Sequence, residues 1–197
     1  MEKHKIGYTV CKYLLAPIFL IYYRPKFDGS KNIPKKGPII VCGNHKHILD
    51  QCFPILSTRR MLHYMAKKEY FDGKTAWFFK LSGCISVNRQ IKDSDATNEA
   101  IELLNNGYAV GLFPEGTRNK TKDILLPFKF GAVSMAKKTN ATIVPFAVTG
   151  EYKFRKNNLK VTFGKPFKVK DDLEEANNRL YKEIETIILK EKQLLNK

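Results

Sequence analysis

The chain has 197 residues, enough to bury the core of one domain and too few for two of ordinary size. A hydrophobic share of 43% beside 27% charged residues sets aside both a disordered chain and a polytopic membrane protein. Thirty-five Lys and Arg against nineteen Asp and Glu leave a net charge of +16, which implies a negative partner surface: nucleic acid, anionic lipid or an anionic substrate.

In chain order, the first feature is an uncharged run from Tyr13 to Tyr23 (YLLAPIFLIYY), preceded by Lys3, Lys5 and Lys12 and followed by Arg24 and Lys26. A membrane-spanning helix wants about 20 apolar residues, and this run falls short of that. Tyr22-Tyr23-Arg24-Pro25 is not the small-residue cleavage site of a signal peptide. The run reads as a helix lying in the membrane interface, with aromatic residues at the boundary and lysines reaching anionic head groups. A buried N-terminal helix packed on the core is the alternative. Residues 1–30 are accordingly set apart as a membrane-associating helix, and residues 31–197 form the main domain.

Beyond Pro34, apolar stretches of strand length alternate with stretches of helical period. That pattern predicts an α/β fold with a mixed, largely parallel central sheet flanked by helices. Strands are expected at 38–43, 62–66, 83–88, 109–113, 142–148 and 159–163. Helices are expected at 49–58, 74–81, 94–106, 130–138 and 171–195. Asn106-Gly107 stops the third of these, and Asp171, Asp172, Glu174 and Glu175 open the last, as the helix dipole favours. The cysteines Cys11, Cys42, Cys52 and Cys84 form no C-x-x-C pair and sit mostly in apolar segments. They read as small buried hydrophobes in a reducing compartment, and neither disulfides nor a metal site are expected.

In such a sheet, ligand-binding groups gather where strands end. Three polar clusters stand there: GNHKHILD, NRQ and FPEGTRN. In the first, Asp50 follows His45 by five positions, which on one continuous helix would point them about 140° apart. If His45 instead lies in the turn and Asp50 in the first helical turn, the carboxylate can accept the imidazole Nδ1–H and leave Nε2 free to take a proton. That is the His-Asp half of a triad, suited to a reaction whose nucleophile is a substrate hydroxyl. On spacing alone, Asp50 as a helix cap beside a polar loop histidine is equally open, and His47 is a rival base. In the third cluster, Glu115, Gly116, Thr117 and Arg118 follow an apolar strand in a turn where glycine allows backbone to approach a ligand. Arg118 offers a planar fork for phosphate oxygens, and Arg89 in the second cluster is a further donor. A solvated basic loop is the plainer reading of both.

These blocks resemble the 1-acylglycerol-3-phosphate acyltransferase family of glycerolipid acyltransferases. Asn44-His45-Lys46-His47-Ile48-Leu49-Asp50 matches the family's N-H-x-x-x-x-D block, Gly83 to Arg89 its G-x-x-x-x-x-R block, and Phe113 to Arg118 its F-P-E-G-T-R block. Ile143-Val144-Pro145-Phe146 matches a proline-containing strand. All four stand in family order over residues 35–165. Phe128-Lys129-Phe130-Gly131 is similar to a further family segment, so Lys129 is expected to line the site. The resemblance implies the glycerolipid acyltransferase fold for residues 31–197. It also implies that His45 deprotonates an acceptor hydroxyl, that Asp50 orients it, and that Arg118 with Glu115, Gly116 and Thr117 holds the acceptor phosphate, supported by Arg89. The chain departs from the pattern at Asn88, where an acidic residue often stands, and in a short N-terminal region.

The expected reaction moves a fatty acyl group from acyl-CoA or acyl carrier protein, as co-substrate and with no other cofactor, to the sn-2 hydroxyl of lysophosphatidic acid. Glycerol 3-phosphate or another lysophospholipid is the alternative acceptor. The expected partners are an anionic membrane surface and these substrates, on the cytoplasmic face of the cell membrane. No nucleic-acid signature accompanies the charge, so nucleic acid is not an expected partner. A catalytically idle lipid-binding protein would not need the intact motif residues.

Overall fold

A computed structural model of the chain describes residues 2–88, 90–91, 93–170 and 172–195. In chain order the elements are α1 (Glu2–Tyr23), β1 (Lys26–Asp28), a 3-10 turn (Ser30–Asn32), β2 (Ile39–Gly43), α2 (Cys52–Ser57), β3 (Leu62–Lys67) and α3 (Glu69–Asp72). There follow α4 (Ala76–Leu81), β4 (Ile85–Val87), α5 (Ser94–Asn105), β5 (Ala109–Leu112), α6 (Gly131–Thr139), β6 (Thr142–Thr149), β7 (Lys160–Phe163), β8 (Phe167–Lys168) and α7 (Leu173–Leu195).

The strands form one sheet in the order β1-β7-β6-β2-β5-β3-β4, with β8 also on β6. From β6 to β4 every pairing is parallel, while β7 and β8 run antiparallel to β6. This is the mixed, mostly parallel sheet that the alternation of elements predicts. The central strands are continuous apolar runs because both faces are covered, as parallel sheets require. Along β2, alternate side chains go to opposite layers. Ile40 and Cys42 join a core with Leu104 of α5, Val133 of α6 and Leu180 of α7. Ile39 and Val41 join the other, with Phe19 of α1 and Phe53 of α2.

Pro145 sits inside β6, a strand paired on both sides, where its missing N–H would normally leave a gap in the ladder. Its carbonyl accepts from Gly164 N–H on the antiparallel side. That side is where the partner run breaks between β7 and β8, so the absent donor falls opposite the interruption.

β1, β8 and α3 were not expected from the sequence. β1 is exposed along its whole length and β8 has two residues, so neither carries a hydrophobic pattern of its own. β1 is ordered through parallel pairing with β7. The helix expected at 49–58 starts later, at Cys52, because the preceding residues form a turn bonded His47 C=O to Asp50 N–H and Leu49 C=O to Cys52 N–H.

The first helix is longer than the uncharged run. Over Lys5–Tyr23 it is long and apolar enough to cross a membrane by length and composition alone. One face is held by the domain: Tyr8 and Phe19 are buried, Gly7 packs against Leu81, and Lys12 Nζ donates to Thr58 C=O at 2.5 Å. The other face exposes Ile6, Tyr13, Leu14, Ile18 and Ile21.

Candidate functional site

The parallel strands β2 and β5 end side by side, and the two loops that leave them build the site. After β2 the chain turns sharply through 44–51. Asn44 is buried and fixes the start of the turn on β6, its Nδ2 donating to Val148 C=O at 3.0 Å and its Oδ1 accepting Val148 N–H at 2.7 Å. The turn brings Asp50 back to His45: Nδ1 lies 3.0 Å from Oδ2. The same Oδ2 accepts the backbone N–H of Lys46 and of His47, each at 2.7 Å. Oδ1 accepts the Tyr152 hydroxyl at 2.5 Å. Asp50 is fully buried, and a carboxylate among so many donors can only accept. The tautomer that fits this contact places N–H on Nδ1, leaving Nε2 to face outward as the acceptor. The ring lies flat on Phe113, with centroids 4.0 Å apart and planes 8° apart.

The loop after β5 clamps this turn from the other side. Glu115 is buried, its Oε1 accepting His45 N–H at 2.7 Å and its Oε2 accepting Leu126 N–H at 2.8 Å. Asn119 N–H donates to His45 C=O at 2.6 Å. His45 is thus gripped by its own N–H and C=O between two residues of the loop after β5. Glu115, expected to help hold a phosphate, has both oxygens engaged by backbone donors. Burial raises its pKa, and the two amide donors oppose that shift. Gly116 adopts a left-handed φ of 70°, and a side chain there would run into Lys129 Cε at 2.9 Å, so glycine lets the Lys129 stem lie over the turn. Thr117, Arg118 and Lys129 are exposed.

His47, the rival base, has its Nδ1 taken by the Leu49 N–H at 3.3 Å. Its ring stacks on Tyr152 at 3.9 Å, and burial lowers its pKa, with Arg118, Lys46 and His45 adding to the effect and Asp50 opposing it. Arg89 lies outside the described residues. Its neighbour Asn88 donates N–H to Asp93, which caps α5.

A groove of about 770 Å³ opens at His45 and runs beneath α1. Its mouth has His45, Phe113, Thr117 and Arg118; its walls are apolar, with Phe19 and Leu15 of α1, Ile55 of α2 and Phe79 of α4 among them. A smaller polar cleft of about 300 Å³ lies on the other side of the His45 turn, where Lys46, Lys122 and Lys192 add positive charge. The arrangement offers a proton acceptor and a guanidinium at the entrance of a space shaped for hydrocarbon.

His45, Asp50, Thr117 and Arg118 are brought together as the motif spacing suggests. Tyr152 and Phe113, as partners of Asp50 and His45, were missed. Phe113 lies within a quoted motif but its stacking has no sequence signal, and Tyr152 comes from a segment about a hundred positions away with no motif around it.

The acyltransferase family model matches residues 24–149. The chain is similar to a 1-acyl-sn-glycerol-3-phosphate acyltransferase of Bacillus subtilis, 30% identical over 167 residues, 81% of each chain. It is 34% identical over 134 residues to a protein of the same name from Borreliella burgdorferi, covering 66% of this chain and 53% of that one. The crystal structure of a 1-acyl-sn-glycerophosphate acyltransferase from Thermotoga maritima superimposes with a TM-score of 0.73 at 21% identity. That match covers 100% of this chain and 80% of the other, and shows a shared fold.

Proposed function

The chain belongs to the acyltransferase family, and on that premise we propose that it transfers a fatty acyl group from a thioester donor to the sn-2 hydroxyl of 1-acyl-sn-glycerol 3-phosphate, giving phosphatidic acid. The observation that carries this reading is the buried Asp50 bound to His45 Nδ1 at the mouth of an apolar groove, with Arg118 on the same rim. The names of the Bacillus subtilis and Borreliella burgdorferi relatives support the acceptor.

In this reaction His45 Nε2 takes the hydroxyl proton as the oxygen attacks the thioester carbonyl. A C–O bond forms, the carbonyl electron pair moves to oxygen, and a tetrahedral oxyanion results. Its collapse breaks the C–S bond and expels the thiolate, which takes the proton back from the imidazolium. Asp50 stabilises that imidazolium and holds its tautomer. Arg118 pairs with the acceptor phosphate, which sets the hydroxyl at the imidazole, and Lys129 and Arg89 are assigned to the same anion. Glu115 and Gly116 shape the loop that bears Arg118. The groove takes acyl chain. Helix α1 lies in the membrane interface of the cytoplasmic face, with its domain-facing side on the groove and its exposed apolar side in lipid.

The test is a two-way screen with purified protein on anionic vesicles: acyl-CoA and acyl carrier protein as donors, lysophosphatidic acid, other lysophospholipids and glycerol 3-phosphate as acceptors. Phosphatidic acid from lysophosphatidic acid at the highest kcat/KM is the expected result, and the better donor identifies the thioester. Preference for glycerol 3-phosphate would keep the chemistry and overturn the acceptor.

A further inference from the structure

We infer that Tyr152 is a positioning residue for the reaction, fixing the plane of the Asp50 carboxylate through a hydroxyl donated from the segment that follows β6. This rests on the reading of His45 and Asp50 as the proton-transfer pair. Three donors converge on Oδ2: His45 Nδ1 and the backbone amides of Lys46 and His47. Those bonds all fall on one oxygen of the carboxylate, so its torsion is held from one side. Tyr152 supplies the second point, at 2.5 Å from Oδ1, the short range of an O–H group donating to a carboxylate. With both oxygens fixed, Oδ2 stays aimed at Nδ1 and the imidazole plane is set for the acceptor.

The phenol is itself held from several sides. Its ring stacks on His47 at 3.9 Å and 23°, meets Tyr23 at the end of α1 edge-on at 5.6 Å, and meets Phe53 of α2 at 6.3 Å. Two residues further on, Phe154 packs on Tyr22 at 5.0 Å, and Arg155 N–H donates to Tyr22 C=O at 2.9 Å. The segment thus spans from the end of the first helix to the carboxylate. Burial, with the Asp50 charge, drives the Tyr152 pKa far upward, so the hydroxyl remains a donor throughout the working pH range.

Tyr152→Phe keeps the ring and its stacking and removes only the donor. The titratable and charged groups around Asp50 and Tyr152, namely His45, Lys46, His47, Cys52, Tyr23, Tyr64, Glu115 and Arg118, stay in place. Loss of a hydrogen bond to a charged group predicts a kcat about 10- to 100-fold lower. The acceptor KM is expected to stay within about threefold, because no substrate contact is removed. Without the phenol, the carboxylate charge bears more fully on Nδ1–H and favours the imidazolium, so the acidic limb of kcat/KM moves to higher pH.

The experiment measures kcat, KM and the pH profile of wild type, Tyr152→Phe, Tyr152→Leu and His45→Ala on lysophosphatidic acid vesicles, with a melting curve for each. A reduced kcat with a shifted acidic limb in Tyr152→Phe, and no recovery in Tyr152→Leu, is the predicted result. A kcat within about twofold of wild type, or a fall by one factor at every pH with the limb unmoved, overturns the inference. If His45→Ala kept normal turnover, the underlying reading would fall instead, whatever Tyr152 does.

Discussion

His45 in the proposed reaction depends on three contacts made by one residue: Nδ1 on Asp50, the ring on Phe113, and the backbone between Glu115 and Asn119. Asp50→Asn keeps the volume but turns an amide group toward donors, because Asn cannot accept from Nδ1, two backbone amides and a phenol at once. A kcat lower by about 10³-fold or more is expected, with the acceptor KM little changed. Arg118→Ala acts differently: on the proposed function it removes the partner of the acceptor phosphate, so the acceptor KM should rise more than kcat falls, as steady-state kinetics on mixed micelles would show. His47 gives a pH dependence of stability. Burial lowers its folded pKa below the ordinary 6.5, so the unfolded chain takes up the proton first as pH falls. Stability present above that value is lost as pH falls through the lowered one. His47→Phe, which keeps a ring on Tyr152, should flatten this part of the curve, measured as urea midpoints at about pH 7.5 and about pH 5.5. His45, Asp50 and Arg118 were legible because each lies in a short local pattern at a strand end. Tyr152 was not, because a hydrogen bond across 102 positions leaves no local signal. Glu115 was legible as part of its motif, but its bonds to the His45 and Leu126 amides leave no local signal in the sequence.

Between residue and fold stand the two loops and the strands that release them. Gly43 closes β2 against the ring of Phe146: a Cβ there would come 2.3 Å from Cζ. Gly43→Ala should therefore force the ring or the strand end to shift and cost about 1–3 kcal/mol, read as a lower denaturation midpoint. Activity should fall further than stability explains, because His45 lies two residues on. The same strands were the most legible part of the sequence, since an uninterrupted apolar run that length needs cover on both faces. Element edges were less so. The sequence puts the start of α2 too early because the periodicity of 49–58 continues through a turn that the Asp50 carboxylate organises. β1 and β8 are defined by what they pair with, β7 and β6, and not by their own composition.

Over the whole molecule, the chain carries a net charge of +16 and exposes an apolar face of α1. Leu14 and Ile18 are 68% and 64% exposed, so Leu14→Asn with Ile18→Asn should leave the melting temperature nearly unchanged. Vesicle binding should weaken by about tenfold or more, since each side chain inserted into lipid contributes on the order of 1.5 kcal/mol or more. Added salt should weaken binding to anionic vesicles further, and that to neutral ones little, as sedimentation with vesicles of each kind would show. The helix was visible in the sequence as an uncharged run, but its extent to Glu2 was not, because Lys5 and Lys12 interrupt the run. Lys12 proves compatible with it by turning back to bond Thr58. Formation of phosphatidic acid with His45 as base is read out by transfer of a labelled acyl group to lysophosphatidic acid on vesicles by wild type and His45→Ala. Wild type should form labelled phosphatidic acid and the variant should fall by about 10³-fold or more while still binding lysophosphatidic acid. Normal turnover by His45→Ala would contradict the account.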